Sequence, residues 1–169
     1  VGPGGSSFRM LVRLVERLPA MVCPGWTRSR TQPVALVDVV RLLRHVVFDE
    51  TTAGETFDIG CPEVMTYAEL MKRMATILGR RLPMLRVPWY TPRLSLLWVV
   101  AVTGYPAELV FPLVESARHH LTARNPHELP RRAGFAPTSF DDAARAALRD
   151  EAPPQPRRGG RPARPPSTV

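Results

Sequence analysis

With 169 residues and a hydrophobic content of 44%, the chain has the apolar mass for one folded domain and is too hydrophobic for a disordered protein. Its net charge of +8 would suit a polyanionic partner. Yet Lys72 is the sole lysine, the arginines are scattered along the chain and no aromatic stripe interleaves with them, which argues against a nucleic-acid-binding surface.

In chain order, apolar residues at Phe8, Leu11, Val12, Val15 and Leu18 recur at helical spacing, with Arg9, Arg13, Glu16 and Arg17 opposite, and predict an amphipathic helix over residues 6–18. The brief apolar run "AMVCP", stopped by Pro24 and Gly25, predicts a short strand. "TQPVAL" reads as a second strand running into a helix, "VDVVRLLRHVVF". There Val39, Val40, Leu43, Val46 and Val47 mark a stripe expected to be buried, and Asp38 caps the helix or favours its dipole. In "ETFDIG", Phe57 and Ile59 alternate with Thr56 and Asp58 as a third strand, ended by Gly60 and Pro62. Thr66 and Glu69 then form a capping box, with Met65 stapled to Leu70, and the helix runs to a C-cap at Gly79.

"PMLRVP" is the next short strand. "TPRLSLLWVVAVTG" is a helix with Thr91 as N-cap, Pro92 at its first position and Gly104 as terminator. "PAELVFPLVESARHH" is another apolar helix, kinked or broken at Pro112. "NPHEL" announces a short helix capped by Asn125, with Pro126 at the first position, and Ser139 starts the final alanine-rich helix. Beyond Asp150 the chain is a Pro/Arg/Gly tail with nothing to bury. Strands alternating with helices in the first half indicate parallel-sheet α/β architecture.

Familiar chemistry is sparse. Tyr67 lies five residues before Lys72, off the shared helix face that a phenol–ammonium pair would need, and Tyr90 and Tyr105 have no such partner. Gly2 and Gly4 begin a dinucleotide fingerprint, but Ser7 occupies the sixth position. His119 and His120 are adjacent, the wrong spacing for one metal, and His45 reads as structural. Cys23 and Cys61, without a CxxC pairing, read as small buried hydrophobes in a reducing, cytoplasmic setting. In "TRSRTQ", Arg28 and Arg30 alternate in an extended segment that could face an anion, with Gln32 as a hydrogen-bond donor; a solvated loop is the competing reading. The apolar run from Leu94 to Val114 is broken by Gly104, Pro106, Glu108 and Pro112, and suits two packed cap helices or a partner surface better than a membrane span; shallow membrane contact stays open.

Four stretches taken in order, "VGPGGSSF", "TQPVALVDVVRLL", "ETFDIGCPEVMTYAELM" and "VPWYTPRLSLLWVVAVTGYP", resemble the C-terminal half of the extended and atypical short-chain dehydrogenase/reductase family of NAD(P)-binding, NmrA-like and epimerase-like proteins. The resemblance runs from Val1 to about Arg149. It implies a Rossmann-type protein whose glycine fingerprint and Tyr-x-x-x-Lys pair precede Val1, so that NAD(P) would be bound mainly by residues missing from this chain. The abrupt opening at Val1 agrees with such an excerpt. By the same resemblance the Gly2–Ser7 loop borders the substrate cleft, and Ser6, Ser7, Arg30 and Gln32 are its substrate-binding candidates.

The expected fold is therefore α/β, the C-terminal part of a Rossmann-like parallel sheet with a mostly helical substrate or cap region. Residues 1–64 belong to the sheet domain, 65–150 to the helical region and 151–169 to a disordered tail. The leading function is the substrate-side half of an NAD(P)-dependent oxidoreductase or epimerase-like protein acting on a small molecule. The alternative is a non-catalytic interaction or peripheral membrane subunit, since atypical members of the family lack the catalytic pair. A partial sheet with an unpaired edge also implies marginal stability for the isolated chain.

Overall fold

The computed structural model describes residues 1–86 and 92–151. Helix α1 (Ser6–Arg17) leads into strand β1 (Met21–Cys23), a 3-10 turn (Gly25–Arg28), β2 (Arg30–Thr31) and α2 (Leu36–Phe48). Next come β3 (Met65–Thr66), α3 (Tyr67–Ile77), β4 (Met84–Arg86), α4 (Pro92–Thr103), α5 (Ala107–Ser116), α6 (Glu128–Arg132) and α7 (Phe140–Glu151). The sheet content is small: β1 pairs with β4 in parallel, Met21 opposite Met84, and β2 pairs with β3 antiparallel, Thr31 opposite Met65. The architecture is thus mixed α/β with a two-stranded parallel ribbon. Thr91 as a cap, Tyr90 and the tail beyond Glu151 lie outside the described residues.

Helix α1 is apolar around more than one stripe, and it uses both. Phe8, Val12 and Val15 join Met21, Met74 and Phe140 in the main core, which α1 shares with α3 and α7. Met10 turns the other way, to Val99 of α4 and Val110 of α5. Its polar edge is tied down as well. Arg13 and Arg17 donate to the carbonyls of Thr103 (3.2 Å) and Val102 (2.9 Å), acceptors that the end of α4 leaves without helical partners. The apolar run of the fourth and fifth helices is therefore two helices packed on each other and on α1, and among the described residues no helix is long and apolar enough to cross a membrane.

Helix α3 is bounded by the signals its sequence carries. Thr66 Oγ1 accepts from the Glu69 N–H at 3.2 Å, and the Glu69 carboxylate accepts from the Thr66 N–H at 2.7 Å. At the other end Gly79 adopts φ +67°, a left-handed conformation natural to glycine. The N–H groups of Gly79 and Arg80 then close on the carbonyls of Thr76 and Ala75, a Schellman end. Donation from the Thr66 backbone N–H, then its hydroxyl, holds the Glu69 carboxyl below its ordinary value. That contribution is complete above the ordinary glutamate range and is lost as pH falls through the lowered value. Thr66→Ala should therefore cost about 1 kcal/mol in urea unfolding at neutral pH, and Glu69→Gln should flatten the acid limb of stability against pH.

Four expectations need correction. "TQPVAL" contributes only Thr31 to a strand, because β2 is confined to Arg30–Thr31 and Pro33 brings no N–H to extend the ladder. "ETFDIG" forms no strand, since residues 55–60 have no ladder partner among the described residues; Phe57 instead lies under the Arg132 guanidinium, 5.0 Å from it. The short helix of "NPHEL" begins at Glu128, with His127 as its N-cap and Pro126 in the preceding turn. Most consequentially, the α2 stripe is largely uncovered: Val39 and Val46 are half-buried, but Val40, Leu43 and Val47 are 58%, 59% and 75% exposed, with Leu36, Val37 and Phe48 also open. The helix is held instead by Leu42 and by buried Asp38, whose carboxylate accepts from the Thr138 N–H (2.6 Å) and hydroxyl (3.0 Å) just ahead of α7.

Candidate functional site

The short β2–β3 ladder sets the geometry of a strongly apolar cavity that opens between the helices. Because Thr66 pairs with Arg30 and closes the capping box, Tyr67 is delivered to the first position of α3, where its N–H donates to the Ser29 carbonyl at 3.1 Å. Its ring meets Trp26, on the 3-10 turn, edge to face with centroids 5.9 Å apart. The alternation of β2 sends Thr31 into the cavity and leaves Arg30 exposed. Helix α1 contributes Ser7, Leu11 and Leu14, and α5 with the turn after it contributes Val114 and Ala117. The cavity volume is about 350 Å³; no Lys, Arg, His, Asp or Glu side chain lines it, and Val1 at its wall gives its ammonium to the Val34 carbonyl.

Burial raises the Tyr67 phenol above the ordinary tyrosine value, and a hydrogen bond from Thr31 offsets this only in part. The phenol is therefore neutral across the physiological range, and its own proton is available to an acceptor in the cavity. Spectrophotometric titration should show a tyrosine that ionises later than an ordinary one, and Tyr67→Phe should remove that late step.

Of the residues singled out from the sequence, Ser7 alone reaches this cavity. Ser6 is exposed at the first turn of α1, and Arg30 uses its backbone N–H to donate to His120 Nδ1 at 3.0 Å. Arg28 ends the 3-10 turn rather than alternating with Arg30 in an extended segment. Gln32 is buried, and its amide bridges two loops, Nε2 donating to the Cys61 carbonyl (3.0 Å) and Oε1 accepting from the Ala123 N–H (2.8 Å). Gly60 makes that bridge possible, since a Cβ there would stand 2.9 Å from the Gln32 Cβ. The Gly2–Gly5 turn at the head of α1 already faces an anion: the Glu151 carboxylate accepts from the Gly4 N–H (2.7 Å) and from Arg9 Nε (3.0 Å).

Sequence reasoning missed Thr31, Trp26 and Tyr67. Tyr67 was judged only against Lys72; its immediate position after a capping-box threonine was the available signal.

A wider, open groove of about 840 Å³ runs past the end of α2, lined by Arg41, Arg44, His45, Phe48 and Phe135. Arg41 stands over the Phe135 ring at 5.6 Å and His45 lies beside Asp49 at 3.2 Å, and the walls are shallow. Cys23 and Cys61 are both buried, with the Cys23 thiol donating to the Met21 carbonyl (3.7 Å) and the Cys61 thiol to the Glu63 carbonyl (3.0 Å); burial also raises the Cys61 thiol. Among the described residues no cluster of three or more His, Cys, Asp or Glu side chains could hold a metal ion.

No protein-family model matches the chain, and no curated protein does. Among solved structures it is similar to dTDP-4-dehydrorhamnose reductase from Bacillus anthracis str. Ames, determined in complex with NADP, with a TM-score of 0.54 at 11% identity. The likeness covers 89% of this chain and 45% of the reductase, so the chain spans less than half of that protein's length. At such identity what is shared is the fold, that of part of an NADP-binding reductase.

Proposed function

We propose that this chain is the substrate-side half of an NAD(P)-dependent oxidoreductase or epimerase-like protein of the short-chain dehydrogenase/reductase family, completed by a preceding nucleotide-binding segment. The observation that carries the reading is the uncovered apolar face of α2. An amphipathic helix in a finished domain turns its apolar stripe to the core, whereas Leu36, Val40, Leu43 and Val47 face outward. Residues 55–59 are the second sign, a segment with strand alternation in its sequence that belongs to no ladder among the described residues. A parallel sheet supplied from upstream would meet both needs. The fold likeness to an NADP-bound reductase supports the same assignment.

In this reading residues 1–64 complete the nucleotide-binding unit, 65–150 form the substrate side, and 151–169 are a tail. NAD(P) is held mainly by upstream residues. Of the candidates Ser6, Ser7, Arg30 and Gln32, Ser7 lines the substrate cleft, Ser6 and Arg30 lie outside its wall, and Gln32 braces the neighbouring loops through the Cys61 and Ala123 bridges.

The coding sequence upstream of Val1 tests the proposal. It should specify a glycine-rich strand-to-helix turn, and the longer protein should quench NADPH fluorescence on binding, while the 169-residue chain should not. A longer protein without that turn and without NADPH binding overturns it. A second reading, a non-catalytic subunit at a membrane surface, draws on the exposed Leu97 and Phe111 of α4 and α5; it predicts liposome binding that survives removal of NADPH.

A further inference from the structure

We propose that the cavity between α1, α3 and α5 takes an apolar ligand with a single carbonyl or hydroxyl end, and not a nucleotide-linked sugar. The inference rests on placing the substrate cleft of the preceding section here, and it deepens that reading by naming the ligand class.

The chemistry of the lining decides the class. A diphosphate entering a cavity needs cationic side chains or a free helix N-terminus to replace its water. This cavity offers no cationic side chain, the Val1 ammonium at its wall is given to the Val34 carbonyl, and the helix starts around it are engaged: α1 has the Glu151 carboxylate on the Gly4 N–H, α3 the Thr66–Glu69 box with the Tyr67 N–H on the Ser29 carbonyl, and α7 the Ser139 hydroxyl on the Asp142 N–H. What the walls do offer is hydrocarbon and sulfur. Phe8, Leu11, Leu14, Met10 and Met71 contribute apolar surface, with the thioethers able to adapt their shape to a flexible chain.

Polar groups are few and placed together. Thr31 and Tyr67 both line the cavity, so the Tyr67 phenol can present its O–H to a carbonyl or hydroxyl oxygen of the ligand with the Thr31 hydroxyl beside it. Such a pattern, apolar walls with one or two fixed donors, orients a ligand by its single polar end. A molecule of roughly ten carbons suits a cavity of about 350 Å³.

The test uses 2-decanone and dTDP as probes, added separately to the 169-residue chain without nucleotide cofactor, with binding read by saturation-transfer NMR. Saturable binding of 2-decanone and none of dTDP is expected. Ser7→Phe and Ser116→Phe each fill the exposed rim of the cavity; each should weaken 2-decanone at least about tenfold with the melting temperature unchanged. Tyr67→Phe should weaken it roughly three- to tenfold, the loss of one hydrogen bond. No binding of 2-decanone, binding of dTDP that Ser7→Phe abolishes, or affinity untouched by both rim variants overturns the proposal. Because NADPH takes no part, these outcomes are independent of whether the longer protein binds the nucleotide.

Discussion

Phe140→Ala should abolish the cooperative unfolding transition of the isolated chain. Phe140 is fully buried at the start of α7, where its ring packs on the α1–α3 core, lies beneath the Arg73 guanidinium at 5.7 Å and forms part of the cavity wall. Truncating a buried phenylalanine costs about 3–5 kcal/mol, toward the upper end where the surroundings cannot collapse into the space. Here they cannot, because the deleted ring would merge with an existing cavity of about 350 Å³. A loss of that size is comparable to the whole stability of many small domains, and a chain with the α2 face uncovered has little in reserve. Near-UV circular dichroism during a thermal scan measures it, with Phe140→Leu as the volume-conserving control. A Phe140→Ala chain that melts at the wild-type temperature would show that α7 is not part of the core.

The paired substitution Leu43→Glu and Val47→Glu should have the opposite profile. Both positions are already in water, and exposed substitutions usually change stability by less than about 0.5 kcal/mol. The isolated chain should therefore unfold at the same urea concentration as wild type. Association with the nucleotide-binding segment is a different matter. Burying two such side chains contributes about 1.5–3 kcal/mol each, and placing carboxylates there adds a desolvation penalty. Binding of the separately produced upstream segment should fall by roughly 100-fold or more, read by titration calorimetry. Unchanged association would remove α2 from that interface.

How legible this molecule was in its sequence depended on whether a feature is local. The Thr66–Glu69 box, the Gly79 terminator and the Ser139–Asp142 start of α7 involve neighbours in the chain, and each stands where its residues place it. The apolar period of α2 was equally readable, but periodicity tells which face is apolar and not whether anything covers it. Phe57 and Ile59 teach the same lesson for strands, since alternation describes a half-buried strand only once another strand supplies its hydrogen bonds.

The site was less legible than the fold. Ser7 was reachable through the resemblance of its loop. Tyr67, Trp26 and Thr31 converge only because β2 and β3 pair, a contact between residues more than thirty positions apart. Gln32 shows the reverse error of emphasis: a side chain read as a donor to a ligand has both ends of its amide engaged by backbone groups. Buried amides are usually satisfied in this way, and a single sequence cannot reveal which partners do it.

Amide hydrogen exchange at Phe57 and Ile59 is the most direct probe of the central reading, compared between the 169-residue chain alone and the same chain bound to the upstream segment. Free in the isolated chain, these amides should exchange near the unprotected rate, and pairing with an incoming strand should slow them by about 100-fold or more. Amides already protected in the isolated chain, or still fast in the complex, would contradict the idea that this half of the molecule is built to receive a neighbouring sheet.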